Sequence, residues 1–351
     1  MTQAPTRALV IAAAVAAVSA LAASAAGPQA PRSSLAPDVL DVLTKQLRFS
    51  ATEIAELQRG KIVRHGIDTA SPGEIAVVGA VRVNAPKAAF LDRVRDIARF
   101  KRNPGVLQIG RFSATPSVAD LSALTVDVDD FDARECRVGD CSVRLSAEMI
   151  RRLPQEVDLK APDAQARSAA WFKQVIIDDV AAYLAGGAGR ILQYDDGPRP
   201  IRPVDEFDGI LENAPTIGTL IPGLPDHLKN YPSNHLTDPE DFLYWSKEKF
   251  GPSPFITVTH VTIVCGSADT CVMTTKDVYS SRYLDASLGL SIATDVEGAP
   301  DAFYLVYGNR FRANALKGVW SALRRAIVER RARGGLEESL KATKNELETR
   351  R

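Results

Sequence analysis

The cleanest alternation in the chain runs from Glu74 to Asn84, where Ile75, Val77, Val81 and Val83 fall on one side of an extended segment. Period-two patterning of this kind predicts a half-buried strand. Lys61 to Asp68 predicts another, and Ser71-Pro72-Gly73 between them reads as the turn of a hairpin. Val106 to Phe112, Leu121 to Val128, Cys141 to Leu145 and a start at Ile191 to Tyr194 are further strand candidates. From Phe255 the pattern is plainly β, over Phe255 to Val264, Val272 to Ser280, Ser287 to Thr294 and Phe303 to Phe311.

Helical spacing appears between these runs. Pro37 to Leu47 carries Val39, Leu40, Val42, Leu43 and Leu47. Ser50-Ala51-Thr52-Glu53 has the capping-box form, in which the Ser50 hydroxyl accepts from a helix amide while Glu53 reaches back. Asn84-Ala85-Pro86 closes a strand and opens a helix with the stripe Phe90, Leu91, Val94, Ile97 and Phe100. Ser146 to Leu153 and Ala161 to Leu184 predict two more helices. The second ends at Gly186-Gly187-Ala188-Gly189. These glycines follow a helix and lack the Lys-Ser/Thr of a phosphate loop, so they read as a stop. Pro215 to Pro239 reads as an ordered loop with helical turns, and Asp241 to Phe250 as an aromatic helix. Asn314 to Arg351 predicts a long helix that Gly334-Gly335 would kink or divide.

The first thirty residues differ from the rest. Arg7 is the only charge before Arg32, Ala8 to Ala23 is apolar, and Ala23-Ser24-Ala25 and Ser24-Ala25-Ala26 fit small-x-small cleavage. Residues 1–26 therefore read as a secretory signal, too short and too alanine-rich for a span of roughly 20 residues. Residues 27–48 read as a linker and short helix, and the expected location is periplasmic or secreted. Export makes two local disulfides the expectation for Cys136, Cys141, Cys265 and Cys271, although four cysteines allow three pairings. Neither pair has zinc-finger spacing or the redox Cys-x-x-Cys form.

Element order then gives the fold class: α+β, with a curved antiparallel sheet gripping a long C-terminal helix. The segments Glu74 to Phe100, Phe255 to Phe311 and Asn314 to Glu348 resemble the START-like helix-grip superfamily (Bet v 1-like, polyketide-cyclase-like). Glu74-Ile-Ala-Val-Val-Gly-Ala-Val-Arg-Val-Asn-Ala-Pro86 is similar to that superfamily's first strand entering its first helix. The resemblance implies a single domain over residues 49–351, with a large, mainly helical insertion at about 113–250. It also implies a cavity between sheet and helix for a lipid, sterol or polyketide, and catalysis in some members.

Charge and chemistry narrow the function. The 43 basic and 43 acidic side chains balance, which argues against nucleic acid as a partner. No His-Glu-x-x-His or Gly-x-Ser-x-Gly occurs, and no catalytic constellation, metal set or cofactor motif is legible. His260 shares strand parity with Ile256, Val258 and Val264 and points inward, as a core or cavity histidine or a general base. His227 and His235 read as solvated loop residues. The run Asp127, Asp129, Asp130, Asp132 reads as a solvated acidic loop, without the Gly and Glu of a calcium loop. Arg282, Tyr283, Tyr304, Tyr307 and Arg310 would orient the polar end of a ligand if they border a cavity, with Trp320 lining it or sitting in the core. Arg324, Arg325, Arg330, Arg331 and Arg333 form a basic helix face, solvated or in transient contact with anionic lipid. The leading expectation is a non-catalytic binder of an apolar or amphipathic small molecule. The alternatives are a cyclase- or hydrolase-like enzyme using His260 or a tyrosine, and an interaction protein whose cavity is filled by side chains.

Overall fold

The structure is a computed structural model that describes residues 35–349 apart from 234, 235, 250, 268 and 319. The secretory-signal reading, most of the linker and His235 lie outside the described residues. The described residues form one compact unit.

Its centre is an antiparallel, eight-stranded sheet: β1 (Val63–Ile67), β2 (Glu74–Val83), β3 (Val106–Arg111), β4 (Glu240–Glu248), β5 (Phe255–Ser267), β6 (Thr270–Ser280), β7 (Ala286–Val296) and β8 (Ala299–Arg312). The spatial order is β1-β2-β8-β7-β6-β5-β4-β3, so the sheet is open, with β1 and β3 at its edges. Strands β3 to β8 form a meander, and β2 inserts beside the last of them. The helices are α1 (Pro37–Asp41), continued by a π-helical turn Val42–Gln46, α2 (Ala51–Gln58), α3 (Lys87–Arg95), α4 (Ile97–Phe100), α5 (Ala147–Glu156), α6 (Ala164–Gly186), α7 (Pro203–Glu212), α8 (Thr216–Leu220), α9 (Leu224–Asn230) and α10 (Ser321–Thr349).

Local chemistry sets the element ends. Ser50 and Glu53 make the reciprocal capping box of α2. Pro86 caps α3, and the Asp96 side chain caps α4, so the predicted single helix is broken there. Gly187, with φ 65°, ends α6. The sheet is covered on both faces. On one, Ile75, Val77, Val81 and Val83 pack with Phe303, Leu305 and Tyr307 against Phe90, Val94 and Ile97, and against Leu336, Leu340 and Leu347 of α10. On the other, Leu243, Trp245, Ile256 and Val258 meet Phe172, Ile176 and Val180 of α6. There too, Val78, Tyr304 and Val306 meet α1 and α2, and Val264, Val272 and Leu288 meet α7 to α9. The helical segments between β3 and β4 thus cover the face opposite α10.

The fold class stands as the pattern predicts, and a meander with a terminal helix on its sheet is compatible with a helix grip. Several elements differ. Asp241 to Phe250 is not helical: Glu240–Glu248 is strand β4. Phe242 and Tyr244 face α10 while Leu243 and Trp245 face α6, so both sides are buried and no polar alternation marks the strand. Leu121 to Val128 forms no strand; a 3-10 turn, Val118–Leu121, leads into irregular chain whose Leu124 and Val126 are core residues. Cys141 to Leu145 and Ile191 to Tyr194 supply only isolated bridges, Arg137 with Asp140 and Tyr194 with Ile201. Gly334 and Gly335 lie inside an uninterrupted α10.

Both local disulfides are present, Cys136–Cys141 and Cys265–Cys271. Cys265 and Cys271 face each other across the β5–β6 hairpin. Among the described residues, no helix is long and apolar enough to cross a membrane.

Candidate functional site

Two polar groupings stand out against these apolar faces, one on each side of the sheet.

The first lies on the α10 face. Asp277 of β6 accepts from Thr259 Oγ1 of β5 at 2.9 Å and from the Ser287 hydroxyl of β7. Beside it, Lys101, just past α4, pairs with Glu248 of β4 at 3.1 Å, and Ser246 Oγ donates to the same carboxylate at 2.7 Å. Burial pushes the Asp277 carboxyl up, against those two hydroxyl donors. Burial also works against the Lys101 ammonium, but the neighbouring Glu248 carboxylate holds it above the usual lysine range. Thr275, Asp277, Ser287 and Gly289 nevertheless stay partly open to solvent on middle strands of the sheet, while Val261, Ile263, Met273 and Ala293 on the same face are closed. α10 packs chiefly along β2. It leaves this part of the face half-buried, next to the buried Tyr244 and the half-buried Leu284 of the same apolar cluster.

The second grouping lies on the opposite face. Asp241 of β4 receives His227 Nε2 of α9 at 3.0 Å, His260 Nε2 of β5 at 2.9 Å and Thr262 Oγ1 at 2.7 Å, all on one oxygen, Oδ1. With Nε2–H donating to Asp241, His260 Nδ1 accepts from the Tyr183 hydroxyl of α6 at 2.9 Å. The Tyr231 ring lies 4.3 Å from the His260 ring and stacks on Tyr183. Both histidines are buried. Burial alone would raise the Asp241 carboxyl, but the donors from His227 and His260 hold it well below the usual range. Burial also lowers the His260 imidazole, which keeps it neutral.

The residues singled out in the sequence do not converge. His260 faces α6, away from α10. Tyr304 is fully buried on that same side, against the N-terminal helices. Tyr307 is on the α10 face, its hydroxyl 3.3 Å from Thr343 Oγ1, and it packs against Phe90 and Phe100. Arg310 pairs with buried Glu74. Arg282 donates to the Asp129 and Asp130 carbonyls, and the Tyr283 hydroxyl donates to Ser253 O at 3.1 Å. Trp320 is neither core nor pocket wall: it is 74 % exposed, with Leu323 and Ile327 exposed beside it at the start of α10. In the acidic run, Asp130 is buried and salt-bridged to Lys247 at 2.5 Å rather than solvated.

Sequence reasoning missed Asp277, Lys101, Glu248, Asp241 and His227. His227 sits in the Pro-rich stretch but is buried by α9 docking onto the sheet, which corrects its reading as a solvated loop residue. The signal for Asp241 was the register of β4: a strand there pairs Leu243 with His260 and Asp241 with Thr262. Comparison with protein-family models, with curated proteins and with solved structures returned no match to this chain.

Proposed function

We propose that the protein is an exported binder of an amphipathic small molecule, seated on the α10 face of a START-like helix grip. One observation supports this reading above the others. Asp277 is a half-buried acidic residue set beside the closed apolar residues Val261, Ile263, Met273 and Ala293, with the Lys101–Glu248 pair next to it. Binding sites combine apolar walls with a few placed polar groups, and this part of the face has that composition. Asp277 would accept a hydrogen bond from the ligand's polar end, and Lys101 would donate one. The exposed Trp320, Leu323 and Ile327, flanked by the exposed Arg330 and Arg331, would offer a contact for an anionic lipid surface where the ligand is collected. The disulfides support export, since thiols stay reduced in most cytosols.

The test is native mass spectrometry of the processed protein purified from its own exporting host. A discrete added mass that leaves on denaturation, and that falls in occupancy in Asp277→Asn, is the expected result. A bare polypeptide from that source overturns the reading.

A further inference from the structure

The opposite face carries a second, independent centre. Three ligand-type atoms, the Nε2 atoms of His227 and His260 and a carboxylate oxygen of Asp241, lie within 4.8 Å of one another. They come from α9, β5 and β4, three consecutive elements that the fold brings to one point. A carboxylate oxygen offers two lone pairs. Asp241 Oδ1 nevertheless has three groups directed at it, two imidazole nitrogens and the Thr262 hydroxyl. Hydrogen bonding alone oversubscribes that oxygen. A cation among the three groups would relieve the crowding, because each imidazole would turn a lone pair, not a proton, toward the centre.

We propose that His227, Asp241 and His260 form a site for a divalent transition metal of the zinc class. Zinc–nitrogen and zinc–oxygen bonds of roughly 2.0–2.2 Å at angles between the octahedral and tetrahedral values separate adjacent ligands by about 2.9–3.5 Å. The observed nitrogen–oxygen separations, 2.9 and 3.0 Å, fall at the short edge of that window. Two imidazoles and one carboxylate suit zinc over calcium or magnesium, which prefer all-oxygen sets. Thiolates do not compete, because all four cysteines are in disulfides. The outer shell is also in place. Tyr183 holds His260 by its far nitrogen, as second-shell partners of metal-bound histidines do. Lys276, opposite His260 on β6, is committed to the Leu228 carbonyl at 2.8 Å and lies over the Phe207 ring. Asp241 keeps 15 % side-chain exposure, which gives an ion a way in. Bound there, the ion would fasten α9 to β4 and β5.

The processed protein is treated with chelator, dialysed and titrated with zinc chloride by calorimetry. One equivalent per chain is expected, together with a rise in melting temperature of roughly 5 °C at a hundredfold excess over Kd. Asp241→Asn and His227→Gln should each lower the affinity at least tenfold. If either variant fails to fold, the readout is the side-chain nitrogen NMR spectrum of the wild type. Zinc should then move the Nε2 resonances of His227 and His260 and leave His65, engaged by Glu53 and the Leu47 carbonyl, in place. Zinc uptake equal in wild type and Asp241→Asn, or a spectrum in which neither imidazole responds, overturns the proposal.

Discussion

A Cβ built on Gly79 of β2 would lie 2.4 Å from Leu336 Cδ2 of α10, inside the contact distance of any two carbons. The same Cβ would meet Leu340 and the Val63 carbonyl at 3.0 Å, so neither helix nor neighbouring strand leaves room. Helix and sheet touch here because one residue has no side chain. Gly79→Ala should cost about 1–3 kcal/mol, as overpacking does. Urea unfolding measures the loss, and amide exchange should accelerate around Leu336 to Leu347. Gly334→Ala, where nothing lies within 4 Å, should instead stabilise by roughly 1 kcal/mol through helix propensity alone.

Glu74 begins β2 fully buried and is shared by two cations of β8, Arg310 and, at 3.0 Å, Arg312. Removing the carboxylate takes from Arg310 its carboxylate partner and leaves Arg312 only Glu206, at 3.2 Å. Glu74→Gln should therefore destabilise by roughly 3–5 kcal/mol, the range for breaking a buried pair from one side. A denaturant midpoint within error of the wild type would refute this.

Asp179 of α6 is buried, and neither carboxylate oxygen has a hydrogen-bond partner. Burial pushes its pKa up to about 8. Between pH 4 and 8 the folded state therefore holds a proton that the unfolded state has lost. Stability from this group must fall as pH rises through that window, by up to about 1.4 kcal/mol per pH unit. Asp179→Asn should flatten the slope and gain stability at pH 8. Melting curves of both proteins from pH 5 to 8 give the difference directly.

The Cys265–Cys271 bridge spans a sequence separation of 6. Loop entropy for so small a ring gives about 2 kcal/mol. Replacing both cysteines by serine should lower the melting temperature by that equivalent and leave the Thr259–Asp277 pairing intact, since the bridge lies at the far end of the β5–β6 hairpin.

The fold was more legible than the site. Ile75 to Val83 and the run from Phe255 to Phe311 reported the sheet because β-branched residues dominate them, although β2 is buried on both faces. At Phe242 to Trp245, also closed on both faces, four large residues in a row, three of them aromatic, make an apolar block that mimics a helix. That misreading hid Asp241, and with it the meeting of His227 and His260. Asp277 was invisible for a different reason. Its significance is that the two neighbouring strands each give it a hydroxyl and that α10 packs chiefly along β2, and neither fact is local in sequence. Trp320 shows the converse: a large aromatic at helical spacing looked like core, yet it stands in solvent where α10 begins.

The pairing of β2 with β8 joins Glu74 to Arg312 across a sequence separation of 238. A chain emerging from the ribosome displays the apolar β2 edge long before its partner has been made. The meander β4 to β8 can zip by neighbouring hairpins, but β2 must wait and then close a far longer loop than any of these hairpins, a slow step on topological grounds. Until then its unpaired edge invites association with other chains. Nascent chains halted before β8 should be clients for holding chaperones and targets for degradation, and premature stop codons anywhere upstream of Ala299 should leave no soluble fragment of the sheet.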